Sequence, residues 1–157
     1  MFVSLDKIAD GATYDVIVVG AGAGGMAAAV FAAIAGRKVL VVERTEYVGG
    51  TSALSAATTW APNSQHAGSV PGEDSFEKAK RFLDGAVGNH SPSALREAFL
   101  RSAPQAIATL ESQTDVHFRP YATHPDYEQQ HEGATMRGRA LEPVPFDGRQ
   151  LGEGLNY

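Results

Sequence analysis

The chain has 157 residues, 43% of them apolar, and a formal net charge of −5. That supplies the core of one domain or part of one, and an acidic balance without a basic run argues against nucleic acid as a partner. There is no cysteine, which excludes disulfides and thiol chemistry.

Residues 1–13 carry acids and no long apolar run, so they read as an N-terminal extension and not as a cleaved signal peptide. No window approaches about twenty continuous apolar residues. The expectation is a soluble cytoplasmic protein without a membrane span.

Residues 15–43, DVIVVGAGAGGMAAAVFAAIAGRKVLVVE, carry the pattern of a dinucleotide-binding βαβ unit. Residues 16–19 are consecutive apolar β-formers, as a parallel strand buried on both faces requires. Gly20, Gly22 and Gly25 form a G-x-G-x-x-G turn, with Ala21, Ala23 and Gly24 between them. The first glycine permits the tight turn, the second lets the backbone approach a pyrophosphate, and the third lets the helix pack close to the strand. The helix that follows directs its free amides and positive dipole end at the phosphates. Ala29 and Ala33 are placed on one helix face, in close contact with the sheet, and Gly36 ends the helix. A second strand over residues 38–42 finishes on Glu43, about twenty residues past the turn, where a carboxylate accepts hydrogen bonds from an adenosine ribose. Arg44 adjoins it and is counted with the cofactor site.

The same unit serves nicotinamide and flavin cofactors, and residues 44–60 favour FAD. Gly49 and Gly50 precede a stretch dense in Thr, Ser and Ala, whose small side chains let amides and hydroxyls crowd against a large planar ligand. Thr51, Ser52 and Ser55 offer hydroxyls to the phosphates or the flavin edge, and Ala56 and Ala57 continue the loop. Residues 14–62 are therefore assigned to the FAD-binding unit and its flavin loop, and residues 63–157 to an incomplete helical and loop region.

Residues 73–87 predict an amphipathic helix, with Asp74 and Glu77 as a capping-box-like start and Phe76, Ala79, Phe82, Leu83 and Ala86 at helical spacing. Lys78, Lys80 and Arg81 are expected to point to water. Ser91-Pro92 marks a second helix start, and Pro104 is expected to break or kink that helix into two pieces. A short strand is placed at residues 116–118. His117, His124 and His131 lie among acids, but their spacing matches no ligand pattern and Pro120 and Pro125 interrupt it, so a solvated polar loop is preferred to a metal site. Arg137 and Arg139 read as solvated arginines.

Several segments carry a family resemblance: the GGTSA run after Glu43, SAATTWAP over residues 55–62, the helix over residues 76–83 leading to Gly88, the triplet Pro125-Asp126-Tyr127, and the late MRGRALEPVPFDGRQLG. From Tyr14 to near Gly152 the chain resembles the flavoproteins grouped with fumarate reductase and succinate dehydrogenase, and among them the 3-oxosteroid Δ1-dehydrogenases. The resemblance implies hydride transfer from a ring carbon to FAD while a tyrosinate removes a proton beside a carbonyl. It assigns Tyr127 to the substrate pocket as an aid to that base, a role that needs a positive field or a hydrogen-bond relay at neutral pH. Ala56 stands where many relatives have glycine, and Glu128 where steroid enzymes often carry a second aromatic. The succinate dehydrogenase branch tethers FAD through a histidine near the position of Ala53. No histidine lies between Gly49 and Gln65, so noncovalent FAD is expected.

In the family the principal base, the carbonyl-binding residues and the rest of the FAD site lie in later sequence. A two-stranded parallel unit also needs further strands to cover its edge and faces. The expectation is an α/β, Rossmann-type βαβ unit followed by helices, part of a larger doubly wound domain. It is read as the amino-terminal piece of a larger flavoenzyme, either a truncated product or one subunit of a split enzyme whose second subunit completes the flavin domain. The resemblance implies a small hydrophobic ketone or steroid-like substrate. Within the enzyme reading, fumarate reduction is the main rival. Outside it stand a non-catalytic dinucleotide-binding module and an interaction subunit that grips cofactor only with a partner.

Overall fold

The computed structural model describes residues 4–72 and 74–156; residues 1–3, Glu73 and Tyr157 lie outside the described residues. Expectations for the start of the extension and for a helix beginning at Glu73 fall there in part. The described residues divide into two compact units, one within Met1–Ala56 and Asp147–Tyr157, the other Ala57–Phe146.

The first unit is built on strand β1 (Val16–Val19), helix α1 (Ala23–Ile34) and strand β2 (Val39–Val42). The strands pair in parallel, with Val16 opposite Val39 and Val19 opposite Val42. Helix α1 packs against the face that carries Val18, which is buried. The strand expected to be buried on both faces is covered on one: Ile17 is 60% and Val19 86% exposed. Among the described residues one helix supplies one covering layer, and a parallel sheet needs two.

The seam of α1 also differs from expectation. Ala29 is buried but Ala33 is exposed. The helix advances about 100° per residue, so the stripe that starts at Gly25 and Ala29 continues at Ala32, while Ala33 drifts off it. The helix ends as its glycine suggests. Gly36 takes φ +74°, its amide donates to the Ala33 carbonyl at 2.9 Å, and the Arg37 amide donates to the Ala32 carbonyl at 3.0 Å. That pair of bonds is the Schellman closure, which satisfies carbonyls the helix leaves open.

The second unit contains strand β3 (Thr59–Trp60), helices α2 (Phe76–Val87) and α3 (Ser93–Gln113), and strands β4 (Phe118–Pro120) and β5 (Ala140–Pro143). The strands form an antiparallel sheet in the order β3-β5-β4. Sequence periodicity did not disclose this sheet, because its strands are two to four residues long and too short to establish a period. The strand expected at residues 116–118 lies at Phe118–Pro120 instead, paired with β5. Ala61, Ile107 and Leu141 form the core, with Ala103 and Phe118 packed against it, so α3 buries its apolar stripe on the sheet.

Helix α2 is capped by Ser75, whose hydroxyl accepts from the Lys78 amide at 3.1 Å, and not by Asp74, which is drawn into an ion pair described below. Ala79 and Phe82 are its buried positions. Lys80 and Arg96 both hold Asp84, at 2.6 and 2.8 Å, tying α2 to α3. Pro104 does not divide α3, which runs unbroken from Ser93 to Gln113. Packing of Leu100 and Ile107, one on each side of the proline, offsets the missing backbone bond. Among the described residues, no helix is long and apolar enough to cross a membrane.

Candidate functional site

Gly20 leaves β1 with φ +98°, a backbone conformation that a side chain disfavours, and its amide donates to the Val42 carbonyl at 2.7 Å. Helix α1 then begins at N-cap Gly22 with no side-chain capping bond. Its first-turn amides therefore face outward unpaired by any cap, at the positive end of the helix dipole. A Cβ placed on Gly22 or Gly24 meets no atom within 4 Å, so open space lies over the turn. A Cβ on Gly25 would stand 2.0 Å from the Gly20 carbonyl oxygen and 3.3 Å from Val18 Cγ1. Gly25 is thus required by the approach of helix to strand, whereas Gly22 and Gly24 leave a cradle that a side chain would fill. This donor set suits an anionic diphosphate.

Glu43 follows the last residue of β2 and turns back to this cradle. Its Oε2 accepts from the Ala21 amide at 2.8 Å, and its Oε1 accepts from the Thr45 amide and hydroxyl, both at 3.0 Å. These bonds, the Ala21 amide first and Thr45 next, hold its carboxyl below the usual glutamate range. The Arg44 amide adds to the same effect, so the carboxylate is held in one orientation at the head of the turn. Thr45 escaped the sequence reading; a hydroxyl residue two places after an acid at a strand end is the local signal that could have found it. Arg44 is exposed.

The loop after β2 is bound to the same turn. Gly49 has φ +106°, donates its amide to the Ala21 carbonyl at 2.7 Å, and forms an isolated parallel bridge with Gly22. A Cβ on Gly50 would lie 3.2 Å from Gly22 Cα, so the paired glycines are needed for two backbones to meet. A 3-10 turn, Gly50–Leu54, follows. Thr51, Ser52, Ser55 and Ala56 are exposed along it, and the Ser55 hydroxyl donates to the Ser52 carbonyl at 2.8 Å. The structure therefore brings Gly20 to Gly25, Glu43 and the Gly49-Gly50 loop together. Ala57 opens the second unit, in a left-handed conformation at φ +53°.

Tyr127 belongs to the second unit. It lines a cleft of about 320 Å³ with Thr58, Trp60, Phe82, Leu83, His124 and Ala140 among the other walls. Two residues read as solvated prove otherwise. Asp126 and Arg139 are buried, and Arg139 pairs with Asp74 at 2.7 Å and with Asp126 at 2.8 Å. No local pattern marks these residues, because the Arg139 to Asp74 contact spans 65 positions in the sequence. The histidines lie apart in role: His66 meets Glu111 at 3.0 Å, His124 stands between the rings of Tyr121 and Tyr127, and His131 lies beside Gly85. Among the described residues no cluster of three or more His, Asp or Glu is placed to hold a metal ion.

A parallel βαβ unit with an uncapped glycine turn and an acid at the end of the neighbouring strand defines a dinucleotide-binding unit. Residues 15–156 match the family described as FAD binding domain. The chain belongs to that family, and its cofactor is FAD. It is 39% identical over 139 residues to the 4-oxocyclohex-2-ene-1-carboxylate 5-dehydrogenase of Sinomonas cyclohexanicum, covering 88% of this chain and 23% of the relative. Against the 3-oxosteroid 1-dehydrogenase of Mycolicibacterium smegmatis it is 32% identical over 145 residues, 92% of this chain and 26% of the relative. Among solved structures, the 3-ketosteroid Δ1-dehydrogenase of Sterolibacterium denitrificans, in complex with 1,4-androstadiene-3,17-dione, superposes with a TM-score of 0.85 at 39% identity, over 91% of this chain and 25% of that one. The chain spans about a quarter of the length of the curated relatives it matches.

Proposed function

We propose that this chain is the cofactor-binding part of an FAD-dependent dehydrogenase that desaturates a carbon–carbon bond beside a ring ketone. One observation carries the cofactor half of this reading: the turn from Gly20 to Gly25 presents uncapped amides to open space, and Glu43 reaches back to it from the end of β2. In this reading residues 20–25 hold the pyrophosphate, Glu43 with Arg44 the adenosine ribose, and residues 49–56 the inner phosphate and flavin. The binding is noncovalent, in a Rossmann-type unit of a larger doubly wound domain.

The substrate class is a cyclic ketone. The names of the relatives support it, since a 4-oxocyclohexene carboxylate and a 3-oxosteroid both present a ring carbonyl. Bound FAD supplies a hydride acceptor, so that one ring carbon loses hydride while its neighbour, next to the carbonyl, loses a proton. Tyr127 is assigned to support the proton-removing base by hydrogen bonding, on the resemblance and on its place at an apolar cleft. The bare apolar face at Ile17 and Val19 supports the view that further sequence or a second subunit covers the sheet before turnover.

The test is the absorbance spectrum of the purified chain and its titration with FAD and NAD, repeated after coexpression with a sequence that completes the relatives' length. Flavin absorbance in either preparation is expected. Binding of NAD with no FAD in both would overturn the reading in favour of a non-catalytic nucleotide module.

A further inference from the structure

Trp60, Asp74, Asp126 and Arg139 form one polar network inside the second unit. Arg139 is 1% exposed; its Nη2 donates to Asp74 Oδ1 at 2.7 Å and its Nη1 to Asp126 Oδ2 at 2.8 Å. Asp126 Oδ1 accepts from Trp60 Nε1 at 2.7 Å, and Oδ2 accepts from the Thr135 amide at 2.9 Å. The Asp126 amide in turn donates to the Thr135 carbonyl at 2.9 Å. Both the side chain and the backbone of this residue are therefore held.

A buried ion pair is weak ground for stability, because desolvation offsets much of the attraction. A fully satisfied buried network does fix one geometry, and what this one fixes is the cleft. Trp60 and Asp126 line it, as does Ala140 beside Arg139. The Trp60 ring stacks on Phe99 at 5.9 Å, and the Arg139 guanidinium lies 5.8 Å from it, so the indole is gripped on its ring as well as at its nitrogen. Tyr127 follows Asp126 directly and is 88% exposed, with the His124 ring 5.7 Å away. A side chain so exposed has little packing to place it, and its direction is set by the backbone it leaves.

We propose that Asp126, clamped by Arg139 and Trp60, is a positioning residue that holds the Tyr127 phenol at the mouth of this cleft, where it lines the seat of a planar cyclic ketone and hydrogen-bonds the proton-removing base. This rests on the dehydrogenase reading given above. Asp126 acts through Tyr127, because both of its carboxylate oxygens are already engaged by Arg139, Trp60 and Thr135.

The experiment is a double-mutant cycle in the full chain, with 1,4-androstadiene-3,17-dione as probe and the fluorescence of Trp60, the chain's one tryptophan, as readout. Asp126→Ala is expected to weaken probe binding about tenfold when Tyr127 is present and less than about twofold in the Tyr127→Phe background. Equal losses in both backgrounds would mean a structural role only and overturn the proposal. Asp126→Asn, which keeps the shape and one acceptor, goes through the same cycle with the same two readings should Asp126→Ala fail to fold. A second measurement needs no ligand: with 3-fluorotyrosine incorporated, the fluorine line of Tyr127 is expected to lie away from the free amino acid in the wild type, shifted by the His124 ring, and to move to the free value in the Asp126 variant. A line that stays put overturns the proposal. A wild-type chain that binds no probe would sink the ketone reading, while the fluorine line still decides the positioning.

Discussion

The Ala21 amide donates to the Glu43 carboxylate at 2.8 Å, joining the glycine turn at the head of α1 to the end of β2. One acid thus shapes the turn and stands where the adenosine ribose is proposed to bind. Its removal is expected to cost both order and cofactor affinity.

Glu43→Ala should weaken FAD binding roughly tenfold, through loss of a charged acceptor. The folded-state carboxyl titrates below the usual range, because the Ala21 and Thr45 amides favour its charged form. Its contribution to stability is therefore complete above the ordinary glutamate value and lost as pH falls through the lower folded value. The thermal midpoint of Glu43→Gln should lie below wild type by a constant amount above about pH 5, and the gap should close as pH falls below the ordinary glutamate value and through the lower folded one. A gap that widens on acidification would contradict the assignment.

Two glycines of one turn should behave differently. Gly25→Ala drives a methyl to 2.0 Å from a backbone oxygen, and should destabilise the chain by about 1–3 kcal/mol or more in urea unfolding. Gly22→Ala meets nothing within 4 Å and has φ −73°, so the fold should persist with the same urea midpoint while FAD affinity drops. Isothermal titration on the folded variant separates the two.

Arg139→Ala leaves the Asp74 and Asp126 carboxylates buried and uncompensated, and should cost about 3–5 kcal/mol. Because the pair is buried, the loss should be nearly the same at low and high salt. Chemical unfolding at two ionic strengths checks both statements.

Val19→Lys places a charge on the bare face of the two-stranded sheet. It should change stability by no more than about 0.5 kcal/mol in this chain, and reduce self-association seen by gel filtration. Coexpressed with a completing sequence, the same change should block assembly if that face is where the partner docks.

The βαβ unit was readable because each of its parts is local. Four apolar residues make β1, a glycine triplet makes the turn, Gly36 closes α1, and Glu43 ends β2; each signal lies within a few residues of what it specifies. Local signals also misled. Asp74 has the form of a cap, yet its carboxylate is spent on Arg139, and Pro104 has the form of a break, yet α3 continues because its apolar stripe is packed on both sides of it. Ala33 fell off the seam through helical drift that a four-residue spacing ignores.

The amino-acid sequence by itself determined the cofactor class, since a phosphate-binding turn is a short run of backbone that few residues permit. Only the tertiary structure decided the second unit: that β5 pairs with β3 and β4, that Arg139 is buried between two aspartates, and that Asp126 is anchored beside Tyr127. The reason is distance along the chain. Trp60 and Asp126 are 66 residues apart, and a contact of that span leaves no periodicity or neighbour preference in either segment.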